Sequence, residues 1–230
     1  MSKKLKALIA VGGTGGHVFP GCNLAEHLIS KDYLVEIVTD KRGLNYLDRY
    51  KNFKIYTLPS SPFIKTNTSK IILSLVFIFY SVLRALFFLI SNRPSVVFGM
   101  GGYASFPVCI AAKILRIKFI IYENNLIIGK ANKYLLPYAY KIFVSYKEIE
   151  GVPKKFLKKV NIIGNIINKK IINFYKKDFE NNNSESIKIL VLGGSQAAKS
   201  FAEILPNIFL NCLKNGIKLK IYQHCLENQN

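Results

Sequence analysis

The stretch VGGTGGHVFP, Val11–Pro20, directly follows an apolar run that begins at Leu5 and predicts a buried β-strand. Its glycines allow the backbone to turn sharply and a ligand to approach closely. A helical pattern follows from about Gly21, and the N-terminal N–H groups of a helix carry a partial positive charge that suits phosphate. The stretch therefore predicts a strand, a ligand-binding turn and a helix, the opening unit of a doubly wound α/β domain.

The same alternation of strand and helix continues along the chain. Strands are predicted at Leu5–Val11, Leu34–Thr39, Lys54–Leu58, Val96–Gly99, Lys118–Tyr122 and Lys141–Val144. Helices are predicted at about Gly21–Ser30, Thr68–Ser91, Pro107–Leu115 and Lys130–Leu136. Because these strands lack strict polar alternation, they are expected to be buried on both faces of a parallel sheet with right-handed crossovers.

A second unit is predicted to begin after Gly164. A polar, turn-rich loop at Lys176–Lys188 leads into a strand at Ile187–Leu192, a glycine turn and a helix from about Ala197. Leu219–Gln223 predicts one more strand. One βα unit and a strand are too few for an independent sheet domain. Residues 1–164 are thus expected to form a Rossmann-like domain, and residues 165–230 the incomplete start of a second one.

Charge and cysteine content narrow the class of partner. The chain has 33 Lys and Arg against 13 Asp and Glu, a formal net charge of +20, which implies an anionic partner such as nucleic acid, an anionic membrane surface or a phosphorylated substrate. The lysines form no long block, which argues against a disordered nucleic-acid-binding tail. The four cysteines lie far apart without metal-ligand spacing, and Cys22 and Cys109 are expected to be buried, reduced thiols.

The segment Ile71–Ile90 is 20 residues long by these bounds and contains one charge, Arg84. Its length would fit a membrane span. It also occupies the position of a crossover helix between two predicted strands. If this helix crossed a membrane, the two strands would lie on opposite sides of it and could not belong to one sheet. Ser74, Ser81 and Arg84 are expected to share a narrow polar side. We expect a crossover helix whose apolar outer face rests on an anionic bilayer; a helix buried on all sides is the alternative.

Three turns share one plan, an apolar strand followed by glycines and a helix: Gly12–His17, Gly99–Tyr103 and Gly193–Gln196. All three lie at carboxyl ends of strands, where open α/β sheets bind ligands. The first turn is not a Walker A loop, because its sixth position is His17. It also lacks the third glycine of the dinucleotide fingerprint, which would fall at Val18. Asp40 lies where a ribose-binding acid would sit, so a nicotinamide-nucleotide oxidoreductase stays open.

The stretch YENNLIIGKANK, Tyr122–Lys133, leaves the fifth strand on the same side. Glu123, Asn124 and Asn125 come at the strand end, and asparagine amides suit sugar hydroxyls because they both donate and accept. The alternative is a polar turn that caps the next helix.

Five motifs now stand in order: GGTGGHVFP, GMGGYASFP, YENNLIIGKANK, GNIIN and LGGSQAAKSF. Together they resemble the family of bacterial peptidoglycan glycosyltransferases that add GlcNAc to lipid I and make lipid II. The resemblance runs to about Ser200. It implies the two-domain GT-B fold, UDP-GlcNAc as donor, undecaprenyl-diphosphate-linked MurNAc-pentapeptide as acceptor, and neither a metal nor another cofactor. It also implies peripheral attachment to the cytoplasmic face of the cell membrane and no nucleic-acid partner.

The resemblance also implies roles for individual residues. The predicted donor-site residues are Thr14, Gly15, Gly16, Asn125 and, in the third turn, Ser195. Tyr103 is expected near the acceptor diphosphate. An inverting transfer needs a base, and His17 is the first candidate because imidazole titrates near neutrality, with Glu123 second. His17 as an orienting hydrogen-bond donor is the alternative. His27 and His224 are expected to be structural.

Several positions depart from the family pattern. The usual GNPVR is Gly164–Asn168 here, so Asn168 stands where the family has a donor-contacting arginine. The usual HEQN is YENN at Tyr122–Asn125, and Ala197 replaces a glycine in the third turn. Family members also continue well beyond Asn230. We expect donor binding to be weakened accordingly, and a non-catalytic fragment that binds membrane or lipid diphosphate is the second hypothesis.

Overall fold

The computed structural model describes residues 4–60, 68–175, 186–193 and 199–224. The chain divides into two compact units, Met1–Phe174 and Tyr175–Asn230. The first unit extends beyond the boundary predicted at Gly164. The physical reason is that two residues after Gly164 are hydrogen-bonded to Asn23 of the first unit. The Asn23 side chain donates a hydrogen bond to the backbone carbonyl of Ile166, and the Asn168 side chain donates one to Asn23 Oδ1.

The first unit is built on one parallel seven-stranded sheet in the order β3-β2-β1-β4-β5-β6-β7. Its strands are β1 Lys6–Ala10, β2 Leu34–Thr39, β3 Lys54–Thr57, β4 Val96–Gly99, β5 Phe119–Glu123, β6 Lys141–Val144 and β7 Val160–Ile162. The doubly wound parallel sheet predicted from the sequence is confirmed. The point where the strand order reverses lies between β1 and β4, the usual place for a ligand in this architecture.

Helices cover both faces of this sheet. The helices of the first unit are α1 Gly15–Ile29, α2 Lys41–Leu44, α3 Thr68–Asn92, α4 Gly102–Ile114, α5 Lys130–Leu135 and α6 Lys169–Tyr175, with a 3-10 helix at Lys154–Lys159. One core cluster joins the sheet to α3, α4 and α5, and a second joins it to α1. Cys109 lies in the first cluster and Cys22 in the second, both fully buried as expected.

The structure differs from the sequence prediction at several elements. Strand β7 and helices α2 and α6 are additional to those predicted. Helix α1 begins at Gly15 rather than near Gly21, so the last glycines of the first turn belong to the helix. The boundary moved because Thr14 has extended backbone angles and the amide of Val18 bonds back to its carbonyl, at 3.2 Å.

Helix α3 turns its small polar residues toward the core and its large apolar residues outward. Ser74, Ser81, Ala85 and Leu89 are buried, and each serine hydroxyl donates to the backbone carbonyl four residues earlier, at 2.8 Å. Exposed residues include Ile72, Leu73, Leu75, Val76, Phe79, Phe87 and Ile90. The alternative of a helix buried on all sides is therefore wrong, and Arg84 is exposed instead of sharing the side of the serines.

A buried ionic cluster fixes the end of α3 to the sheet. The Glu36 carboxylate on β2 lies 3.1 Å from Lys6 Nζ and 3.0 Å from Lys54 Nζ, and it accepts a hydrogen bond from Asn92 at the end of α3. Burial alone would raise the pKa of Glu36, but the bonds from Asn92, Lys54 and Lys6 outweigh it and hold the pKa below its ordinary value. The carboxylate thus stabilises the fold in its charged form.

Replacing Glu36 by alanine is expected to lower the free energy of unfolding by about 2–3 kcal/mol, because Lys6 and Asn92 lose a buried partner. The stabilisation is present above the unfolded-state pKa and disappears as the pH falls through the lowered folded-state pKa. Urea denaturation at neutral pH measures it. The matched control is Lys4→Ala, which removes an exposed ion pair with Asp32 and should change stability by less than about 0.5 kcal/mol. Equal effects of the two substitutions would contradict the assignment.

The second unit contains a parallel pair of strands, β8 Ile187–Val191 and β9 Leu219–Gln223, joined by helix α7 Lys199–Lys214. The strand, helix and strand predicted there are confirmed in kind. The helix start predicted at Ala197 lies outside the described residues.

Candidate active site

Three loops meet at the carboxyl edge of the first unit's sheet. The first glycine loop, Gly12–His17, follows β1, and the second glycine loop, Gly99–Tyr103, follows β4. The asparagine loop, Glu123–Gly129, follows β5. Because β1, β4 and β5 are neighbours in the sheet, the sequence-predicted residues of these loops lie side by side.

The first glycine loop is shaped by the carboxylate of Asp40, at the end of β2. Asp40 Oδ1 accepts hydrogen bonds from the amides of Gly13 at 3.1 Å and Gly43 at 2.8 Å. Its Oδ2 accepts from Ser60 at 2.9 Å and from Arg42 at 3.3 Å. Burial would raise the pKa of Asp40, but these bonds hold it below its ordinary value. Both oxygens are therefore engaged within the protein, which argues against the ribose-binding role.

The N-terminus of α1 is open toward the loop. Thr14 precedes the helix, and its exposed side chain makes no capping bond. The amides of the first helical turn, which begins with Gly15 and Gly16, are the groups that a helix leaves without an internal partner. This arrangement can hold an anionic or hydroxyl-bearing ligand.

The two glycine loops are packed against each other. A Cβ at Gly102 would lie 2.7 Å from the carbonyl oxygen of Gly12, and a Cβ at Gly12 would lie 2.4 Å from Cβ of Ala104. The imidazole of His17 rests on Gly101, where an added Cβ would come within 2.8 Å of ring atoms Cε1 and Nδ1. Gly101 has φ +91°, a conformation that glycine adopts readily. The second loop therefore forms the floor under His17.

Partial burial lowers the pKa of His17 below its ordinary value, against the opposing effects of the Glu123 charge and the Met100 backbone. The ring is thus neutral at physiological pH. Among the described residues, none hydrogen-bonds to its buried Nδ1 atom. A neutral imidazole at the meeting point of the loops can accept a proton from a substrate hydroxyl.

Gly101→Ala is expected to displace the His17 ring and destabilise the protein by about 1–3 kcal/mol, because the new methyl group adds both positive-φ strain and overlap. Thermal unfolding and the NMR signals of the ring report the two effects. Gly16→Ala is the matched control, since its Cβ would find nothing closer than 3.6 Å. An unchanged His17 signal in Gly101→Ala would contradict the packing described.

The Glu123 carboxylate closes the asparagine loop from inside. It is 2% exposed. Its Oε1 accepts from the amide and the side-chain Nδ2 of Asn125, and its Oε2 accepts from the amide of Gly129 and Nδ2 of Asn132. Four donors surround the carboxylate, which favours His17 over Glu123 as the base.

Asn124 connects the asparagine loop to the first glycine loop, with its Nδ2 donating to the carbonyl of Gly16 at 3.0 Å. Asn125 is exposed beside it, and Tyr103 of the second glycine loop is 36% exposed. The structure therefore brings Thr14, Gly15, Gly16, His17, Tyr103, Glu123 and Asn125 to one edge of the sheet.

Asn168, another predicted site residue, contacts the side of helix α1 instead. The side chain of Asn168 is engaged inside the first unit, donating to Asn23 Oδ1 at 3.3 Å and accepting from the amide of Lys170 at 2.8 Å. Ser195 lies outside the described residues, so its donor contact stays a prediction. His27 and His224 are exposed and away from these loops in sequence.

Sequence reasoning missed the role of Tyr122, the first residue of the YENN variant. Its hydroxyl shares a 2.8 Å hydrogen bond with Ser145 and contacts the carbonyl of Gly164 and the amide of Ile166, at 3.3 and 3.2 Å. Tyr122 thus fastens the segment around Gly164 to the end of β5. The departure from the family's usual residue at this position was the available signal.

Among the residues that the structure describes, no group of three or more His, Cys, Asp or Glu could hold a metal ion. The groups that this edge offers a ligand are helix and loop amides, an imidazole and side-chain amides. Such groups suit a ligand with sugar hydroxyls and a diphosphate.

The model of the glycosyltransferase family 28 N-terminal domain matches residues 7–144, which contain all three loops. The chain belongs to glycosyltransferase family 28. The family resemblance inferred from the ordered motifs is thereby confirmed.

Relatives of this family 28 chain carry a specific transferase name. A protein from Pelagibacter ubique, named UDP-N-acetylglucosamine--N-acetylmuramyl-(pentapeptide) pyrophosphoryl-undecaprenol N-acetylglucosamine transferase, is 36% identical over 224 residues, covering 97% of this chain and 60% of that protein. A protein of the same name from Rickettsia felis is 32% identical over 232 residues, covering 97% and 63%. The chain therefore spans about 60% of the length of these relatives.

Solved structures show the same fold. The MurG of Acinetobacter baumannii superimposes with a TM-score of 0.71 at 23% identity, covering 98% of this family 28 chain and 60% of that chain. A UDP-GlcNAc 2-epimerase from Neisseria meningitidis bound to UDP-GlcNAc superimposes with a TM-score of 0.55 at 17% identity.

Proposed function

We propose that this chain is the N-terminal part of an inverting hexosyltransferase that transfers GlcNAc from UDP-GlcNAc to undecaprenyl-diphosphate-linked MurNAc-pentapeptide, converting lipid I to lipid II. The observation that carries the proposal is the meeting of His17, the two glycine loops and the asparagine loop at one sheet edge. The family membership and the name of the relatives support the choice of substrates.

In the proposed reaction, neutral His17 takes the proton of the attacking acceptor hydroxyl. The hydroxyl oxygen forms a bond to the anomeric carbon of GlcNAc on the face opposite the departing diphosphate. The bond from that carbon to the phosphate oxygen breaks, and UDP leaves with its electron pair. Inversion follows from this single displacement. The open amides at the start of α1 stabilise negative charge on a diphosphate.

Peripheral attachment to the cytoplasmic face of the membrane is part of the proposal. Lys70–Asn92 of α3 is the one helix, among the described residues, that is long and apolar enough to cross a membrane by length and composition. It joins β3 to β4 of one sheet, so crossing a bilayer would separate these strands. An outward face as apolar as that of α3 instead favours lying in the membrane interface.

Exposed cationic side chains lie on and just after α3 and just after the neighbouring helix α4. Lys70, Arg84 and Arg93 are exposed on or just after α3, and α4, which packs against α3, ends with exposed Ile114 followed by Arg116. Basic residues beside an inserted apolar face add attraction to anionic lipid, about 1 kcal/mol each near the surface. The high positive charge of the chain supports the same arrangement.

The second candidate is a non-catalytic fragment that binds membrane or lipid-linked diphosphate. The observation that favours it is the exposed apolar face of α3 with the exposed cations beside it. Calorimetry of the 230-residue chain with UDP-GlcNAc, beside sedimentation with anionic vesicles, separates the candidates: sedimentation without donor binding supports the fragment. Radiolabelled GlcNAc transfer by the chain extended with a complete C-terminal domain tests the transferase directly.

A further inference from the structure

The orientation of one exposed side chain in the asparagine loop is fixed by chemistry alone. Nδ2 of Asn125 lies 2.7 Å from Glu123 Oε1. A carboxylate accepts hydrogen bonds and cannot donate, so the amide group of Asn125 that faces Glu123 must be its NH2. The carbonyl oxygen Oδ1 of Asn125 therefore faces away from Glu123, on a side chain that is exposed to solvent.

The same carboxylate also holds the backbone on both sides of Asn125. It accepts from the amide of Asn125 at 3.1 Å and from the amide of Gly129 at 2.8 Å, which span the loop. Asn132 fixes Oε2 from α5 at 3.0 Å and also donates to the carbonyl of Tyr122, at 3.0 Å. Asn132 on α5 thus fixes the Glu123 carboxylate, and the carboxylate in turn fixes the asparagine loop.

We propose that Glu123 is a positioning residue that holds the NH2 of Asn125 inward and its Oδ1 outward, so that Asn125 Oδ1 accepts a hydrogen bond from a donor group of the nucleotide sugar, a hydroxyl or an amide N–H. This inference rests on the proposed transferase function and deepens it. Glu123 acts through Asn125 and does not touch the reacting atoms. A base role for Glu123 would instead require one of its filled oxygens to meet the substrate.

A double-mutant cycle in the transferase with a complete C-terminal domain tests the coupling. Glu123→Gln keeps the shape of the side chain but replaces one carboxylate oxygen by an NH2. That NH2 faces two hydrogen-bond donors, either those of Asn125 or those of Gly129 and Asn132, so the loop loses its anchor and kcat/KM should fall roughly 10–100-fold. Asn125→Ala should cause a similar loss. The double variant should be no worse than the more damaged single variant, because the two residues form one unit. Losses that multiply would overturn the proposal.

The distribution of the loss over kinetic constants gives a second readout. Both single variants should raise KM for UDP-GlcNAc and leave KM for the lipid acceptor unchanged, which general loosening of the fold would not do. Asn125→Ala removes an exposed side chain, so it remains informative even where Glu123→Gln does not fold. An unchanged KM for UDP-GlcNAc in Asn125→Ala would overturn the proposal.

Hydrogen exchange in the 230-residue chain tests the loop without any assay of transfer. Glu123→Gln should accelerate exchange of the Asn125 and Gly129 amides. The matched control is Glu150→Gln: its side chain is exposed, while its backbone pairs with the same loop through Leu126 and Ile128. Protection equal to wild type at Asn125 and Gly129 would overturn the positioning role. Absence of transfer by the extended wild-type protein would overturn the proposed function and leave the exchange result standing.

Discussion

Replacement of His17 by alanine is expected to lower turnover roughly 10²–10⁴-fold in the transferase with a complete C-terminal domain, the range typical for removal of a general base. The ring lies where the two glycine loops meet, and its pKa is lowered by burial, so wild-type protein carries the neutral form needed to take a proton. Initial rates of GlcNAc transfer measure the loss.

The pH dependence of wild-type activity follows from the same shift. Because the pKa of His17 lies below its ordinary value of 6.5, activity should persist at neutral pH and fall only as the pH drops through the lowered pKa. His27→Ala is the control, since His27 is exposed on the same helix α1. A loss below tenfold in His17→Ala would refute the base and leave His17 as an orienting donor.

Replacing Leu73, Phe79 and Phe87 on the outer face of α3 by glutamate is expected to abolish binding to anionic vesicles. Leu73, Phe79 and Phe87 are 69%, 64% and 71% exposed. Each loses about 1.5–3 kcal/mol of apolar insertion and gains a charge that anionic lipid repels, so the triple variant should bind at least about 100-fold more weakly. Sedimentation with vesicles measures the change, and circular dichroism verifies the fold.

Leu5→Glu is the matched control for the α3 substitutions. Leu5 is 55% exposed and lies at the start of the sheet rather than on α3, so its replacement should leave vesicle binding unchanged. Binding by the triple variant that equals wild type would place the membrane contact elsewhere on the chain.

The strands were predictable because burial on both faces leaves continuous apolar runs. Strands β2, β4 and β6 were placed at their observed bounds. Strand β7 was not, because it has three residues and an asparagine in the middle. Its place in the sheet depends on pairing with β6, and the residues of β7 alone do not show this pairing.

The orientation of α3 could be predicted only in part. Its apolar outer face was expected from composition and from its place between two strands. The inward direction of Ser74 and Ser81 depends on their bonds to backbone carbonyls, which satisfy the hydroxyls inside the core. Helical spacing alone grouped Arg84 with them, although it is exposed.

At the site, the sequence predicted which loops would meet but not what shapes them. Asp40 was recognised only as a possible ribose ligand, whereas its carboxylate holds the first glycine loop. From the sequence, Glu123 is a candidate base; in the folded chain four donors surround its carboxylate. Such networks join residues from several elements, so their partners become apparent only in the folded chain.

The most direct test is transfer of radiolabelled GlcNAc from UDP-GlcNAc to a lipid I analogue by this chain extended with a complete C-terminal domain. His17→Ala and a reaction without acceptor serve as controls. Label should appear in the lipid-extractable product with wild-type His17 and be strongly reduced with alanine. No labelled product from the folded, extended protein would contradict the proposed function.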